Sequence, residues 1–222
     1  HVPRKSRGPL PSTATAVLSV VQLFFVAVIA IYENPFRLIS DVERVPFGFA
    51  PPDGQGMNPL LVHPAMAIHP PVLYLGYVGF TVPYAFALAA LITRQVEEEW
   101  ARATRRWTIM SWFFLGVGQL LGGKWAYVVL GWGGYWGWDP VENAALLPWL
   151  TATAFLHSII IQEKKGMLKI WNMVLIILTF TLCIYGTFLT RSGIVSSVHS
   201  FAQSPVGPTF LLFVAAIVAV SA

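Results

Sequence analysis

The segment KWAYVVLGWGGYWGWDPVENAALLPW, residues 124–149, decides the predicted fold and holds five of the nine tryptophans of the chain. Glycines stand between the aromatic residues at positions 131, 133, 134 and 137, and an Asp-Pro turn with Glu142-Asn143 follows at once. Glycine permits left-handed and closely approaching backbone, while indole and phenol rings supply broad flat faces. An aromatic belt at a membrane interface is the alternative, but a belt does not explain the glycines or the acidic end. We therefore predict a loop whose aromatic side chains form a flat platform.

The chain around this segment is predicted to be an all-α, polytopic transmembrane helical bundle. Of its 222 residues, 56% are hydrophobic and only 11% are charged, and the apolar runs approach the length that crosses a bilayer. A sixth run opens at Gly207 after five candidate spans, which are residues 14–31, 72–92, 107–129, 144–161 and 171–190. The sequence starts at a His and stops inside the sixth run. We therefore expect residues 1–222 to be a fragment, a single membrane domain of about six spans.

Basic residues predict the orientation, because Lys and Arg concentrate on the cytoplasmic side of membrane proteins. Ten of the fourteen lie before the first span or in alternate loops: Arg4, Lys5, Arg7, Arg94, Arg102, Arg105, Arg106, Lys164, Lys165 and Lys169. The amino terminus is therefore predicted to be cytoplasmic, with residues 32–71, 124–149 and 191–206 as external loops. The pI near 9.4 follows from these anchors and does not indicate nucleic-acid binding.

Local features refine the predicted helices. The first run has the basic start and apolar middle of a signal peptide, but it is too long and no small-residue cleavage site follows, so we predict a helix.

Pro83 should kink the second span. Gly118 and Gly122 in the third have the spacing that permits close helix packing. The single cysteine, Cys183, excludes a disulfide framework and a C-x-x-C motif.

Three histidines stand where ligation is a reasonable role. His69 precedes Pro70, which disfavours helix at His69 and suits a helix start, so His69 is predicted at the outer mouth of the second span. His199 lies in the loop after the fifth span. His157 lies inside the fourth, where an ionisable residue usually faces a partner or a cofactor. The alternatives are plain surface roles for the loop histidines and a hydrogen-bonded core role for His157. Two histidines beside a glycine-tryptophan platform suit a flat, apolar, iron-bearing ring, with Arg191 as the candidate for its carboxylates.

These motifs resemble those of the CcmF family, the membrane haem lyase component of cytochrome c maturation. WGGYWGWDPVEN is similar to the family's tryptophan-rich "WWD" signature, and MNPLLVHPAMAIHPPVLYLGYVGF, LHSIIIQEKKG and GTFLTRSGIVSSVHSF also resemble it. The resemblance extends roughly over residues 34–205. The related CcsA proteins share the tryptophan signature, but VEN after Asp-Pro fits CcmF better.

The resemblance implies a set of ligands for this chain. An external haem would bind at the loop with His69 and His199 as its axial pair. A permanent b-type haem inside the membrane would be held by His157 and by a second histidine outside this chain. His63 is interpreted as a loop residue and not a ligand. The residues that would contact the haem cofactor are Trp125, Trp132, Gly133, Gly134, Tyr135, Trp136, Trp138, Asp139, Pro140, Glu142, Asn143 and Arg191.

The resemblance also implies a function, as one part of a haem lyase complex in a bacterial or mitochondrial inner membrane. Haem would arrive at the outer face from the chaperone CcmE and be attached to apocytochrome c, whose thiols a CcmH-type component reduces. Asp139 and Glu142 would either contact the haem or fix the loop. Two other functions remain open: a b-type haem electron-transfer subunit, which predicts paired intramembrane histidines, and a haem exporter, which predicts ligands on a route across the membrane.

Overall fold

The computed structural model describes residues 9–54, 56–131, 133–199 and 206–221, and within these ranges the chain contains helices and no strand. This confirms the all-α prediction. A short 3-10 helix, Pro59–Leu61, lies in the segment between the second and third α-helices. The α-helices are α1 (Pro9–Ile31), α2 (Ile39–Glu43), α3 (Pro64–Gly79), α4 (Thr81–Ile92), α5 (Glu98–Val129), α6 (Pro140–Lys165), α7 (Lys169–Ser192) and α8 (Gly207–Ser221).

Four helical segments of the described chain are long and apolar enough to cross a membrane. They are α1, α3 together with α4, α6 and α7, and α8 is a shorter apolar helix. The remaining predicted span lies in α5, which is long enough but does not meet the same standard, because Gln119, Lys124 and its glycines lower the hydropathy of its apolar part. At 32 residues it is the longest helix, and it packs against α3, α4 and α6. Arg102, Arg105 and Arg106, which are predicted from the sequence to lie in a loop, lie within this helix, whereas Arg94 and Glu97 precede it.

The second predicted span is divided at Phe80, where α3 ends and α4 begins. Pro83 stands three residues later, and a proline ring crowds the carbonyl group four residues before it, here that of Gly79. Pro83 itself is buried within α4. The predicted kink therefore takes the form of a break just before the proline.

The start of α3 differs from the prediction. The helix begins at Pro64, not at Pro70, so His69 lies in its second turn and is only 9% exposed. His63 is the residue that precedes the helix, and its Nδ1 accepts a hydrogen bond from the Ala65 N–H at 3.1 Å. Pro64 occupies the first helical position, which proline favours because its missing N–H has no role there. The prediction that Pro70 keeps His69 out of the helix is wrong, because the capped His63-Pro64 pair is the stronger start signal.

Close packing of α3 on α5 is made by glycines. A Cβ atom on Gly118 would lie 2.6 Å from Leu73 Cα, and one on Gly76 would lie 2.5 Å from the Leu115 nitrogen. A Cβ on Gly122 would lie 2.6 Å from Cε1 of His69. These contacts confirm that Gly118 and Gly122 permit close helix packing. They also show that the same glycine face of α5 receives the His69 imidazole.

Polar contacts hold the opposite end of the bundle. Asn172 of α7 donates a hydrogen bond from Nδ2 to Oε1 of Gln162 at 2.7 Å and accepts one from the Ser158 hydroxyl, and all three side chains are buried. Arg105 pairs with Glu163 at 3.0 Å. The Asn172 contacts favour one register of α6 against α7, because buried polar groups that bond to each other specify the arrangement of their helices, and the Arg105–Glu163 ion pair joins α5 to α6.

Candidate functional site

The tryptophan-rich segment is mostly helix, and only its middle is a loop. α5 continues to Val129 and α6 begins at Pro140, so the connection is residues 130–139, of which Trp132 lies outside the described residues. The prediction of a loop over 124–149 is therefore too long at both ends. Trp125 belongs to α5 and is 8% exposed, and Trp149 belongs to α6. Helical periodicity is hard to recognise in a stretch so rich in tryptophan and glycine.

Asp139 and Glu142 form the end of this loop. Asp139 precedes α6, and its Oδ2 accepts a hydrogen bond from the Val141 N–H at 3.0 Å. Glu142 Oε2 reaches back and accepts from the N–H groups of Gly137 at 2.9 Å and Asp139 at 3.2 Å. This is a capping box with Pro140 at the first helical position. The two acidic residues therefore fix the loop.

The described aromatic residues of this segment, Trp132 being outside them, point in several directions and do not form one flat platform. Tyr135 stacks on Tyr127 of α5 with ring centroids 4.5 Å apart. Trp136 is half-buried and meets Trp138 edge to face at 6.2 Å, while Trp138 is 71% exposed. Trp125 packs beside the His69 ring at 5.8 Å. Two glycines of the loop leave room beside these rings: Gly133 has a positive φ of 71°, and no atom lies within 4 Å of a Cβ placed on Gly134. The Asn143 amide donates a hydrogen bond to the Trp138 carbonyl at 3.2 Å.

His69 and His199 line the same cavity, although 130 positions of sequence number separate them. The His69 ring is buried against Gly122, and its Nδ1 lies 2.8 Å from the Gly118 carbonyl oxygen. The His199 Nδ1 lies 3.0 Å from Oδ2 of Asp139. In both rings Nδ1 faces an oxygen that only accepts, so Nδ1 carries a proton, and Nε2 of the neutral ring keeps its lone pair. This is the arrangement in which histidine ligates a metal.

The cavity between the two histidines is small. Its volume is about 90 Å³, and Trp136, Gln119 and Glu142 also line it. An apolar cavity of about 510 Å³ adjoins it between α5 and α6 and shares Gln119, Gly123 and Trp136 with it. Pockets that bury drug-sized ligands measure about 300–1,000 Å³. The smaller cavity is thus too small for a macrocycle, whereas the larger one has the volume that such a ligand needs, and Trp136 lines both.

His157 lies on α6 away from this cavity, exposed on the surface of the bundle. Its Nδ1 lies 2.8 Å from the Thr153 carbonyl oxygen, so its Nε2 also keeps a lone pair. Thr153 accepts a hydrogen bond at Oγ1 from the Trp112 Nε1–H at 2.8 Å, and Trp112 stacks on Trp149 at 5.5 Å. His63 has the opposite arrangement, since its Nδ1 is the acceptor for Ala65. The geometry thus separates three histidines suited to ligation from one that acts as a helix cap.

A profile of the cytochrome c assembly protein family matches residues 4–195. The chain belongs to this family. It is 48% identical over 213 residues to the cytochrome c-type biogenesis protein ccl1 of Rhodobacter capsulatus, over 94% of this chain and 31% of that protein. It is 47% identical over 198 residues to CcmF of Pseudomonas aeruginosa, over 89% of this chain and 29% of that protein. These matches confirm the resemblance to CcmF.

A solved structure of the cytochrome c haem lyase CcmF has the same fold. It matches with a TM-score of 0.76 and 42% identity over 98% of this chain and 32% of that chain. The chain therefore spans about a third of the length of the cytochrome c assembly proteins it matches. Like them, it is a membrane protein of the cytochrome c biogenesis machinery.

Several residues of the site were not identified from the sequence. Tyr77, Thr187 and Thr190 line the cavity of the two histidines, and Ser197 donates to Asp139 Oδ2 at 2.7 Å. Tyr77 stands eight residues after His69, two turns along the same helix face, so helical spacing was a usable signal for it. Arg191 is exposed in the last turn of α7, and the described residues give it no hydrogen bond or ion pair.

Proposed function

We propose that the protein receives haem between His69 and His199 and takes part in attaching it covalently to apocytochrome c. One observation carries this proposal: two imidazoles from distant parts of the chain line one cavity, and both have Nδ1 engaged and Nε2 free for iron. In this proposal haem is the cargo, and the chain supplies axial ligands, orientation and an apolar surround.

Buried indole N–H groups support a ligand that carries hydrogen-bond acceptors. Within the described residues, Nε1 of Trp100, Trp125, Trp136 and Trp149 is buried without an acceptor. Buried donors without partners are uncommon and call for an explanation, and three of these four lie in the segment 124–149. The carboxylates of haem are acceptors of the required kind for those three, with Arg191 as their candidate cation. Haem that is bound in the larger cavity and ligated by the two histidines would contact Trp136, because this side chain lines both cavities.

A second haem, of b type, is proposed on His157. The described residues would supply only one ligand of this haem. The Thr153 carbonyl orients the His157 ring and leaves Nε2 available. Because the ring is exposed on the surface of the bundle, the second ligand would come from outside the described residues. Such a haem supplies one-electron chemistry. The role of this chain is to hold its iron on one side and, through Thr153, to keep the His157 ring in a fixed orientation.

Partners and sidedness complete the proposal. The alternate-loop distribution of Lys and Arg supports an external position for the end of the bundle that carries the two histidines. Haem would then arrive from the chaperone CcmE at that face, and the apocytochrome would present thiols kept reduced by a CcmH-type component. The membrane would be the bacterial inner membrane or its mitochondrial counterpart.

The test compares His199→Ala with His63→Ala in the intact protein, in cells that depend on it for c-type cytochromes. We expect His199→Ala to abolish holocytochrome formation, because the cavity then retains one iron ligand. His63→Ala should leave the yield near that of the wild type, because this ring caps α3. The measurement is haem-stained cytochrome c at matched expression of each variant. Normal yield from His199→Ala would refute the function proposed for this pair.

His157→Ala tests the second haem by a separate signal. We expect the purified variant to lose the b-type absorption bands assigned to the membrane haem, while haem that depends on His69 remains. The physical reason is that His157 lies on α6 at a site distinct from the cavity of the other two histidines. Identical spectra for the variant and the wild type would show that His157 holds no haem.

A further inference from the structure

We propose that Asp139 is a positioning residue for His199 and that its carboxylate lowers the reduction potential of the iron bound there. The inference rests on the proposed function, because it concerns the haem held between His69 and His199. It assigns to Asp139 a role through His199 in place of the direct haem contact expected from the sequence.

The carboxylate of Asp139 is held in one orientation. Its Oδ2 accepts hydrogen bonds from the Val141 N–H at 3.0 Å, the Ser197 hydroxyl at 2.7 Å and His199 Nδ1 at 3.0 Å. The Asp139 side chain is only 10% exposed. Its own N–H is bonded to Glu142, so the capping box of α6 also fixes the group that orients His199.

The hydrogen bond has a chemical consequence at the opposite ring nitrogen. A carboxylate that accepts from Nδ1–H fixes the tautomer of the ring and raises the basicity of Nε2. A more strongly donating Nε2, together with a nearby negative charge, stabilises ferric iron relative to ferrous iron. The reduction potential of haem at this site is therefore lowered.

The two axial histidines are unequal in this respect. Nδ1 of His69 donates to the neutral carbonyl oxygen of Gly118, whereas Nδ1 of His199 donates to a carboxylate, and hydrogen bonds to ionised groups are the stronger ones. His199 is thus the ligand through which the protein favours ferric haem. By thermodynamic linkage, the factor by which Asp139 shifts the bound haem toward the ferric state is also the factor by which Asp139 raises the affinity of the site for ferric haem relative to ferrous haem.

Two variants of the intact, haem-loaded protein test the inference in opposite directions. Asp139→Asn keeps a residue that caps helices well and removes the negative charge, so we expect the midpoint potential of the external haem to rise and the affinity for ferric haem to fall. Ser197→Ala removes a competing donor from Oδ2, which strengthens the bond to His199. Because the Ser197 hydroxyl also accepts a hydrogen bond from the His199 N–H at 3.0 Å, the haem content of this variant is measured first, and at wild-type content we expect the potential to fall. The measurements are a spectroelectrochemical titration and the electron paramagnetic resonance spectrum of the ferric state.

The variant His199→Ala distinguishes a failure of this inference from a failure of the proposed function. If that variant retains its external haem, the proposed function fails. If His199→Ala loses the haem while Asp139→Asn and Ser197→Ala both keep the wild-type potential and ferric spectrum, the role of Asp139 is overturned and the proposed function stands. Opposite shifts in the two variants support the inference. Should Asp139→Asn fail to fold, a wild-type potential for Ser197→Ala overturns the inference by itself.

Discussion

His69→Gly is expected to remove the external haem completely, and added imidazole is expected to restore part of it. His69 is buried, with its ring set against Gly122 and its Nδ1 bonded to the Gly118 carbonyl. Deleting the side chain leaves a space with the shape of an imidazole and an acceptor on one side. Free imidazole that enters this space can donate to Gly118 and present its other nitrogen to iron. The measurement is the haem-to-protein ratio of the purified intact variant, with and without imidazole.

His63→Gly is the matched control for this experiment, because it removes a histidine of the same helix start that caps α3. Imidazole should have no effect on its haem content. Full haem occupancy in His69→Gly without imidazole would contradict the assignment of His69 as a ligand. Restored cytochrome c formation in the presence of imidazole would further indicate that the ring acts as a ligand and is not needed for folding.

Gly122→Ala is the second substitution with a large expected effect, although it adds only a single methyl group. The new Cβ would lie 2.6 Å from Cε1 and 3.0 Å from Nδ1 of His69, so the ring must move and its bond to Gly118 must break. Changes in the groups that orient a metal ligand cost about 10- to 100-fold in affinity, and we expect a loss of haem affinity in that range. Titration of the apo form with haem measures it.

Gly54→Ala is the control for Gly122→Ala, because the nearest atom to its added Cβ is the Gly56 nitrogen at 4.0 Å and its φ is not in the left-handed region. Alanine in place of glycine within α5 favours helix by about 1 kcal/mol, so lower helix propensity does not account for a loss in Gly122→Ala. We expect unchanged haem affinity in Gly54→Ala, because this residue is not among the expected haem contacts. Equal affinities in both variants would show that the position of the His69 ring against α5 is not important for binding.

Some properties of this protein were predictable from local sequence. Long apolar runs require helices in a membrane, because only helices and closed barrels satisfy all backbone groups there. The spacing of Gly118 and Gly122 correctly predicted close packing, and the Asp139-Pro140 pair marks the start of α6 by ordinary capping chemistry. The starting point of α3 was predicted wrongly, since two His-Pro pairs compete and only His63 accepts the hydrogen bond that starts the helix.

The sequence by itself determined the fold class, the membership of the cytochrome c assembly family and the identity of the histidines suited to ligation. These depend on composition, periodicity and motifs, which are local. Tertiary structure decided that His69 and His199 share one cavity, that Asp139 orients His199, and that the loop aromatics diverge. Those outcomes depend on how the glycine face of α5 packs on α3 and how the segment after α7 returns to the start of α6. Such contacts join residues far apart along the chain, and their distances follow only from the packed bundle.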